Sequence, residues 1–398
     1  MSLAHGRTYL AIPGPSVVPD AVLQAMHRAS PNIYEGALPD MMPGLMTDLK
    51  RVARTDQNAA IYICNGHGTW EAALANTIAP GEKVLLLSTG FFADAWGWLA
   101  EARGIEVDVV QSPNGSSFDL DRVADALRAD QAHGYKAVLA THVDTSSSTR
   151  NEFAPLRALL DDLNHPALLM ADCIASLACE RFEMDAWGVD VVITGSQKGL
   201  MCPPGCGFVF FSDRAADVRK KMARVSTYWD WKPRADPEAF YQYFCGTAPT
   251  HHLYGLRTAL DMIHGEGVEA VWQRHATLAR AIWAACEHWG QEGPLRLNVQ
   301  DPALRSHAVT ALSVGKPLGS QLRKWCADNA GVTLGIGLGM ATEDDPNSDG
   351  FFRFGHMGHV NTHMILGLLG SVEAGLAALN IPHKPGGVSA AVQVISGA

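Results

Sequence analysis

No stretch of the 398-residue chain is apolar for long enough to cross a bilayer, which takes about 20 residues as a helix. No run of Lys or Arg stands out either, and the formal net charge is −10. These two absences exclude nucleic acid and anionic membrane as the main partners. Charged residues are scarce at 18%, below the usual quarter, which suits a large core and a buried subunit surface. A disulfide framework is missing: the eight cysteines are scattered, and Cys64, Cys173 and Cys286 sit in apolar segments, as expected of buried thiols in a reducing compartment. Cys202 and Cys206 are spaced C-x3-C with no second pair to complete a zinc site, so no metal is expected. The opening MSLAHGRTYLAIPGP has one Arg and a short apolar stretch broken by Pro13, unlike a signal peptide. A cytoplasmic protein is expected.

What is present is a regular alternation. Seven short apolar runs lie at 61–64, 83–87, 105–110, 136–141, 167–172, 190–194 and 207–211. Most are continuous rather than alternating, the pattern of strands buried on both faces. Helical spacings fill the gaps. Leu120, Val123, Ala124 and Leu127 share one face, with Asp119 placed as N-cap and Gly134 as a stop. Leu156, Leu159, Leu160 and Leu163 share another, with Pro155 in the first turn. The alternation predicts an α/β domain with a mostly parallel, seven-stranded sheet between helices.

Past about Thr250 the texture changes. Leu253, Leu256, Leu260 and Ile263 stripe one helix, and Val268, Val271, Trp272, His275, Leu278 and Ile282 stripe a longer one after Gly267. An apolar run at 308–314, a helix near 318–329, a strand around 351–354 and a final helix after Asn361 follow; the acidic stretch 342–350 reads as a surface loop. We expect a large domain over 20–265 and a smaller C-terminal α/β domain over 266–398, with residues 1–19 packing on the latter.

Two residues carry the chemistry. Lys198 follows the run 190–194, so it stands beyond a strand's C-terminal end, where ligands of open α/β sheets gather. A lysine against low-dielectric walls has a depressed pKa and forms Schiff bases; taken alone, a lysine here reads as a surface residue in a turn. Asp172 ends the run 167–172. A carboxylate there is costly unless it meets a cation, and a protonated pyridine nitrogen is such a cation; the competing reading is a helix N-cap. Asn65-Gly66-His67-Gly68-Thr69 joins the run 61–64 to the helical run 70–76. Glycines at such a turn let N–H groups approach a phosphate, although many serve geometry alone. Arg353, flanked by Phe352 and Phe354, suits a bidentate grip on a carboxylate or a strand-edge ion pair. Phe92, after Gly90, suits stacking on a planar ring or filling core.

Taken together, these residues resemble the class V aminotransferases of pyridoxal-phosphate (PLP) fold type I, above all the serine–glyoxylate, alanine–glyoxylate and serine–pyruvate group. The resemblance runs from Pro13-Gly14-Pro15-Ser16 to Arg353-Phe354-Gly355-His356 and is most specific over 185–198 and in Leu253-Tyr254-Gly255-Leu256-Arg257. It implies that Lys198 carries the cofactor and Asp172 partners its ring nitrogen. Gly66, His67, Gly68 and Gln197 match the phosphate cup, and Thr247 a residue reaching the phosphate from the second subunit of a homodimer. Phe92 matches an aromatic over the ring, Thr145 a hydroxyl near its oxygen, and Arg353 the grip on the substrate carboxylate, with Gly14, Tyr34 and Glu35 near the substrate.

The implied reaction moves an amino group from a small L-amino acid such as serine or alanine to a 2-oxo acid, glyoxylate or pyruvate. Some positions depart from the pattern: Glu35 stands for Arg, Ser148 for Gly and Phe244 for Tyr, and His251 and His252 are unusual. They bear on the substrate rather than the cofactor. Val271-Trp272-Gln273-Arg274-His275 and Gly355-His356-Met357-Gly358 are also similar to pyridoxamine–pyruvate aminotransferase. A lyase or desulfurase of the same fold, and a PLP-binding carrier or sensor, are the remaining alternatives.

Overall fold

A computed structural model describes residues 2–341, 345 and 348–397. All seven expected strands form one sheet, in the order Asn58–Tyr62, Gly207–Phe211, Val191–Gly195, Leu168–Asp172, Tyr135–Thr141, Lys83–Ser88, Glu106–Gln111. Gly207–Phe211 runs antiparallel to both its neighbours, and the other strands are parallel to one another. The five middle strands are almost wholly buried, which is why their sequences are apolar without alternation. One side packs Ile61, Leu85, Leu87, Val138, Leu169 and Val192 beneath helices Ala37–Ala53 and Phe153–Asp162. The other packs Tyr62, Val84, Leu86, Leu139, Met170 and Ile193 against helices Gly66–Thr77 and Phe91–Ala102. Each such side chain contributes about 1.5–3 kcal/mol on burial.

A second sheet has the order Tyr9–Ala11, Val332–Ile336, Phe351–Gly355, Val309–Ser313, Arg296–Leu297. Tyr9–Ala11 lies parallel to Val332–Ile336, and the remaining pairs are antiparallel. Its core draws on helices Val268–Gly290 and Thr362–Ala378, through Ile282, Trp289, Leu368 and Val372.

Several boundaries differ from expectation. The run 61–64 overshoots: pairing with Gly207–Phe211 ends at Tyr62, and Ile63 is 40% exposed. Asp119 does cap Leu120–Ala129 through the N–H groups of Asp121 and Arg122, but the helix stops at Ala129, before Gly134. There the Asp130 carboxylate takes the N–H groups of Gly134 and Tyr135 and starts the next strand. The helix after Asn361 is not the last, because Gly387–Ser396 follows and packs on Val268–Gly290. Of the loop expected at 342–350, residues 342–344, 346 and 347 lie outside the described residues; Ser348–Gly350 form one 3-10 turn. No helix among the described residues is long and apolar enough to cross a membrane.

Candidate active site

At the C-terminal edges of the parallel strands lies a cavity of about 280 Å³. Lys198 and Asp172 both line it, as do Gly14, Gly66, His67, Phe92, Thr145 and Gln197. Asp172 closes its strand opposite Ile193, and the chain beyond Gly195 turns to bring Lys198 to the same cleft. That turn is tied on itself: the Ser196 hydroxyl donates to Pro203 O, and its backbone carbonyl accepts from Cys202 N. From the other side, Ser16 clamps the lysine's backbone, its N–H donating to Gln197 O at 2.9 Å and its hydroxyl to Lys198 O at 2.7 Å.

Lys198 is 9% exposed. Burial, with Arg353 nearby, pulls its pKa down to about 8, and Nζ donates to Pro13 O. Gly14 is held at φ +101°, a backbone that favours glycine, and a Cβ there would displace the end of the Lys198 side chain. Asp172 is 3% exposed and forms no ion pair among the described residues. Burial pushes its carboxyl up to about 7, against donors at Ile174 N, 2.7 Å from Oδ1, and Trp70 Nε1, 2.8 Å from Oδ2. A carboxylate with two fixed donors and no cation is poised to take one.

Asn65 caps helix Gly66–Thr77, its side chain accepting from Gly68 N and its carbonyl from Thr69 N. Among the described residues the N–H groups of Gly66 and His67 find no acceptor at this helix start, the natural arrangement for an anion. Burial holds His67 below its ordinary pKa. Gln197 Oε1 is buried without a hydrogen-bond partner.

Arg353 is 5% exposed, and burial brings it down to about 10. Nε donates to Ile336 O at 2.6 Å and Nη1 to Thr145 O at 2.8 Å, which fixes the guanidinium plane. It does not line the cavity itself but touches it through Thr145. Gly68, in the first turn of helix Gly66–Thr77, does not line the cavity either; a Cβ there would meet Cys64. Tyr34 is 88% exposed, and Glu35 and Thr247 are exposed as well; the single chain does not bring these three to the cavity. His252 reaches Pro204 O, and Pro204 is a cavity wall. His251 reaches Arg28 O, and Phe244 is buried in the core.

Two functional residues escaped the sequence reading. Trp70 lies one turn after His67 on the same helix face, and a buried indole N–H generally has a partner; that partner is Asp172. Asp144, fully buried, accepts from Phe92 N, Ala93 N, Ser146 N and Ser146 Oγ. It caps the helix bearing Phe92 and, two residues on, orders Thr145 and Ser146. The Asp-x-Ser spacing was the available signal for such a turn.

Away from the cavity lining, the buried Glu180 carboxylate accepts from Ser306 Oγ at 3.1 Å and from His307 N, and His307 Nδ1 stands 2.8 Å away. Burial alone would raise Glu180, but His307 beside it brings it down to about 2. Among the described residues no group of His, Cys, Asp and Glu is arranged to hold a metal, and all eight cysteines are free.

A strand-end amine and a buried carboxylate share one cleft of an α/β fold, beside a helix start open to an anion, an arrangement suited to a planar, anionic cofactor. The aminotransferase class-V family model matches residues 8–364, and the chain belongs to that family. It is therefore a PLP-dependent aminotransferase. The serine–glyoxylate aminotransferase of Arabidopsis thaliana is 35% identical over 392 residues, covering 97% of this chain and 94% of that one. The L-aspartate–glyoxylate aminotransferase of Paracoccus denitrificans is 32% identical over 386 residues, covering 96% and 94%. The crystal structure of pyridoxamine–pyruvate aminotransferase from Mesorhizobium loti superposes with a TM-score of 0.88 at 24% identity, covering 99% of this chain and 98% of that one; at that identity the likeness is one of fold.

Proposed function

We propose that this aminotransferase moves an amino group from a small L-amino acid, serine, alanine or aspartate, to glyoxylate or pyruvate, with Lys198, Asp172 and Arg353 as its working residues. The observation that carries the assignment is the shared cavity: Asp172 faces it from the end of its strand and Lys198 from the turn beyond the adjacent one, with the open N-terminus of helix Gly66–Thr77 alongside. The residues fit PLP. Gly66, His67 and Gln197 would hold the phosphate, Asp172 the ring nitrogen and Phe92 a ring face. When bound, PLP supplies an aldehyde that captures amines and a ring that stabilises negative charge on the adjoining carbon.

The chain's residues do the rest. Lys198, with its pKa lowered to about 8, is neutral in about a tenth of molecules at pH 7, against far fewer for an ordinary lysine, so its Nζ can take a proton from the substrate Cα and return it. Asp172 keeps a proton at the ring nitrogen. Arg353, planar and fixed by two carbonyls, orients the substrate carboxylate and thereby the Cα–H direction. Relatives named for glyoxylate support it as acceptor.

A homodimer is part of the proposal. Tyr34, Glu35 and Thr247 are exposed on one chain, and a second copy would bring such residues to the cavity mouth. Eight free cysteines suit the reducing cytoplasm. The test is a panel of amino donors against glyoxylate and pyruvate, run with the wild type, Lys198→Ala and Asp172→Asn. Serine, alanine or aspartate should be turned over by the wild type, Lys198→Ala should be inactive, and Asp172→Asn should lose about 100-fold or more in kcat, a loss of about 2.7 kcal/mol in transition-state stabilisation. Undiminished turnover by Lys198→Ala would overturn the site assignment.

A further inference from the structure

Ser148 sits 4% exposed at φ +60°, a conformation that L side chains rarely adopt, at the seam between the two sheets. Its backbone completes the turn that begins at Asp144, with Ser148 N donating to Asp144 O at 2.8 Å. Its carbonyl accepts from Ser306 N at 3.2 Å, and its hydroxyl oxygen accepts from Ala311 N at 3.1 Å. Ala311 lies in Val309–Ser313, directly opposite Arg353 in the register. The strand Arg296–Leu297 stops just short of this position, so the buried Ala311 N–H finds its acceptor in Ser148. At the other side of the same turn, Thr145 O receives Arg353 Nη1.

We infer that Ser148 is a positioning residue for substrate-carboxylate recognition: its hydroxyl ties the strand beside Arg353 to the turn that holds the Arg353 guanidinium. One turn of the larger sheet's domain thereby sets both the backbone and the side chain of the arginine. Glycine would suit the positive φ better, and the serine's unfavourable backbone is explained by the bond only its side chain makes. The inference deepens the proposed role of Arg353 and rests on it.

The experiment uses PLP-loaded wild type, Ser148→Ala, Ser148→Gly and Arg353→Ala. Each is titrated with aminooxyacetate and with methoxyamine, followed by loss of the cofactor's absorbance. Both reagents capture the bound aldehyde, and only the first carries a carboxylate. Amide hydrogen exchange of Ala311 is read on the cofactor-free proteins. Ser148→Ala and Ser148→Gly should each weaken aminooxyacetate by about 2- to 10-fold, the value of one hydrogen bond, leave methoxyamine unchanged, and speed exchange at Ala311. If Ser148→Ala does not fold, Ser148→Gly, which relieves the backbone, carries the test. Equal changes for both reagents, or no change for either, would overturn the inference. So would a Ser148→Gly variant indistinguishable from wild type. If Arg353→Ala itself leaves the ratio of the two reagents unaltered, the reading of Arg353 fails rather than that of Ser148.

Discussion

Replacing Trp70, itself a wall of the cavity, with Phe should disable Asp172 while leaving Lys198 and Arg353 in place. Trp70 is 1% exposed, stacks on Trp96 with ring centroids 6.3 Å apart, and donates its indole N–H to Asp172 Oδ2 at 2.8 Å. A hydrogen bond to an ionised acceptor is worth about 1.5–3 kcal/mol, and one pKa unit is about 1.36 kcal/mol. Removing the donor favours the neutral carboxyl, so the Asp172 titration in the cofactor-free protein, already at about 7, should move up by about 1–2 units. In the loaded enzyme the weakened carboxylate holds the ring-nitrogen proton less firmly, and kcat should fall by about tenfold or more.

The assay is carbon NMR of the labelled aspartate carboxyl across pH, paired with steady-state kinetics. Phe retains most of the packing, and near-ultraviolet circular dichroism checks that the fold survives. An unmoved titration and an unchanged kcat in a folded variant would refute the claim that Trp70 sets the charge of Asp172.

Gly14→Ala should abolish cofactor attachment, because its Cβ would occupy the place of Lys198 Nζ and the φ of +101° opposes any side chain; retention of the bound cofactor's yellow colour through gel filtration would contradict this. Glu180→Gln should selectively remove stability at neutral pH. The Glu180 carboxyl is depressed to about 2, so its contribution is complete above the ordinary glutamate range and is lost as pH falls from about 5 toward 2. The wild-type advantage in urea unfolding should reach about 3 kcal/mol near pH 7 and close over that acid range; an advantage independent of pH would show the ion pair with His307 to be immaterial.

The five middle strands of the large sheet were legible because burial on both faces leaves an unbroken apolar signature; the largely exposed edge strand Glu106–Gln111 was legible from its valines and its place in the alternation. Tyr9–Ala11, Arg296–Leu297 and Val332–Ile336 were not, since two of them are two or three residues long and the third alternates buried with exposed positions among glycines. Helix Ala37–Ala53 hid behind Pro43 and its flanking glycines. Lys198 and Asp172 could be read from their places at strand ends. Trp70 and Asp144 could not, because what marks them is a partner far along the chain: 102 residues for Trp70 and 51 or 52 for the helix start that Asp144 caps. Gly14 was placed by resemblance alone, since its approach to Lys198 spans distant parts of the chain. Tyr34, Glu35 and Thr247 owe their assignment to that resemblance, and a single chain gives them no geometry in the cavity.

The pairing of Tyr9–Ala11 with Val332–Ile336 has a consequence for the order in which the molecule becomes competent. The segment that covers the reactive amine, Pro13 to Ser16, is synthesised well before the strand that anchors it, which follows more than 300 residues later. A nascent chain with its large sheet already formed therefore still has an uncovered Lys198. Vitamin capture in the native geometry belongs to the finished polypeptide, and a truncated product would carry the nucleophile without its enclosure.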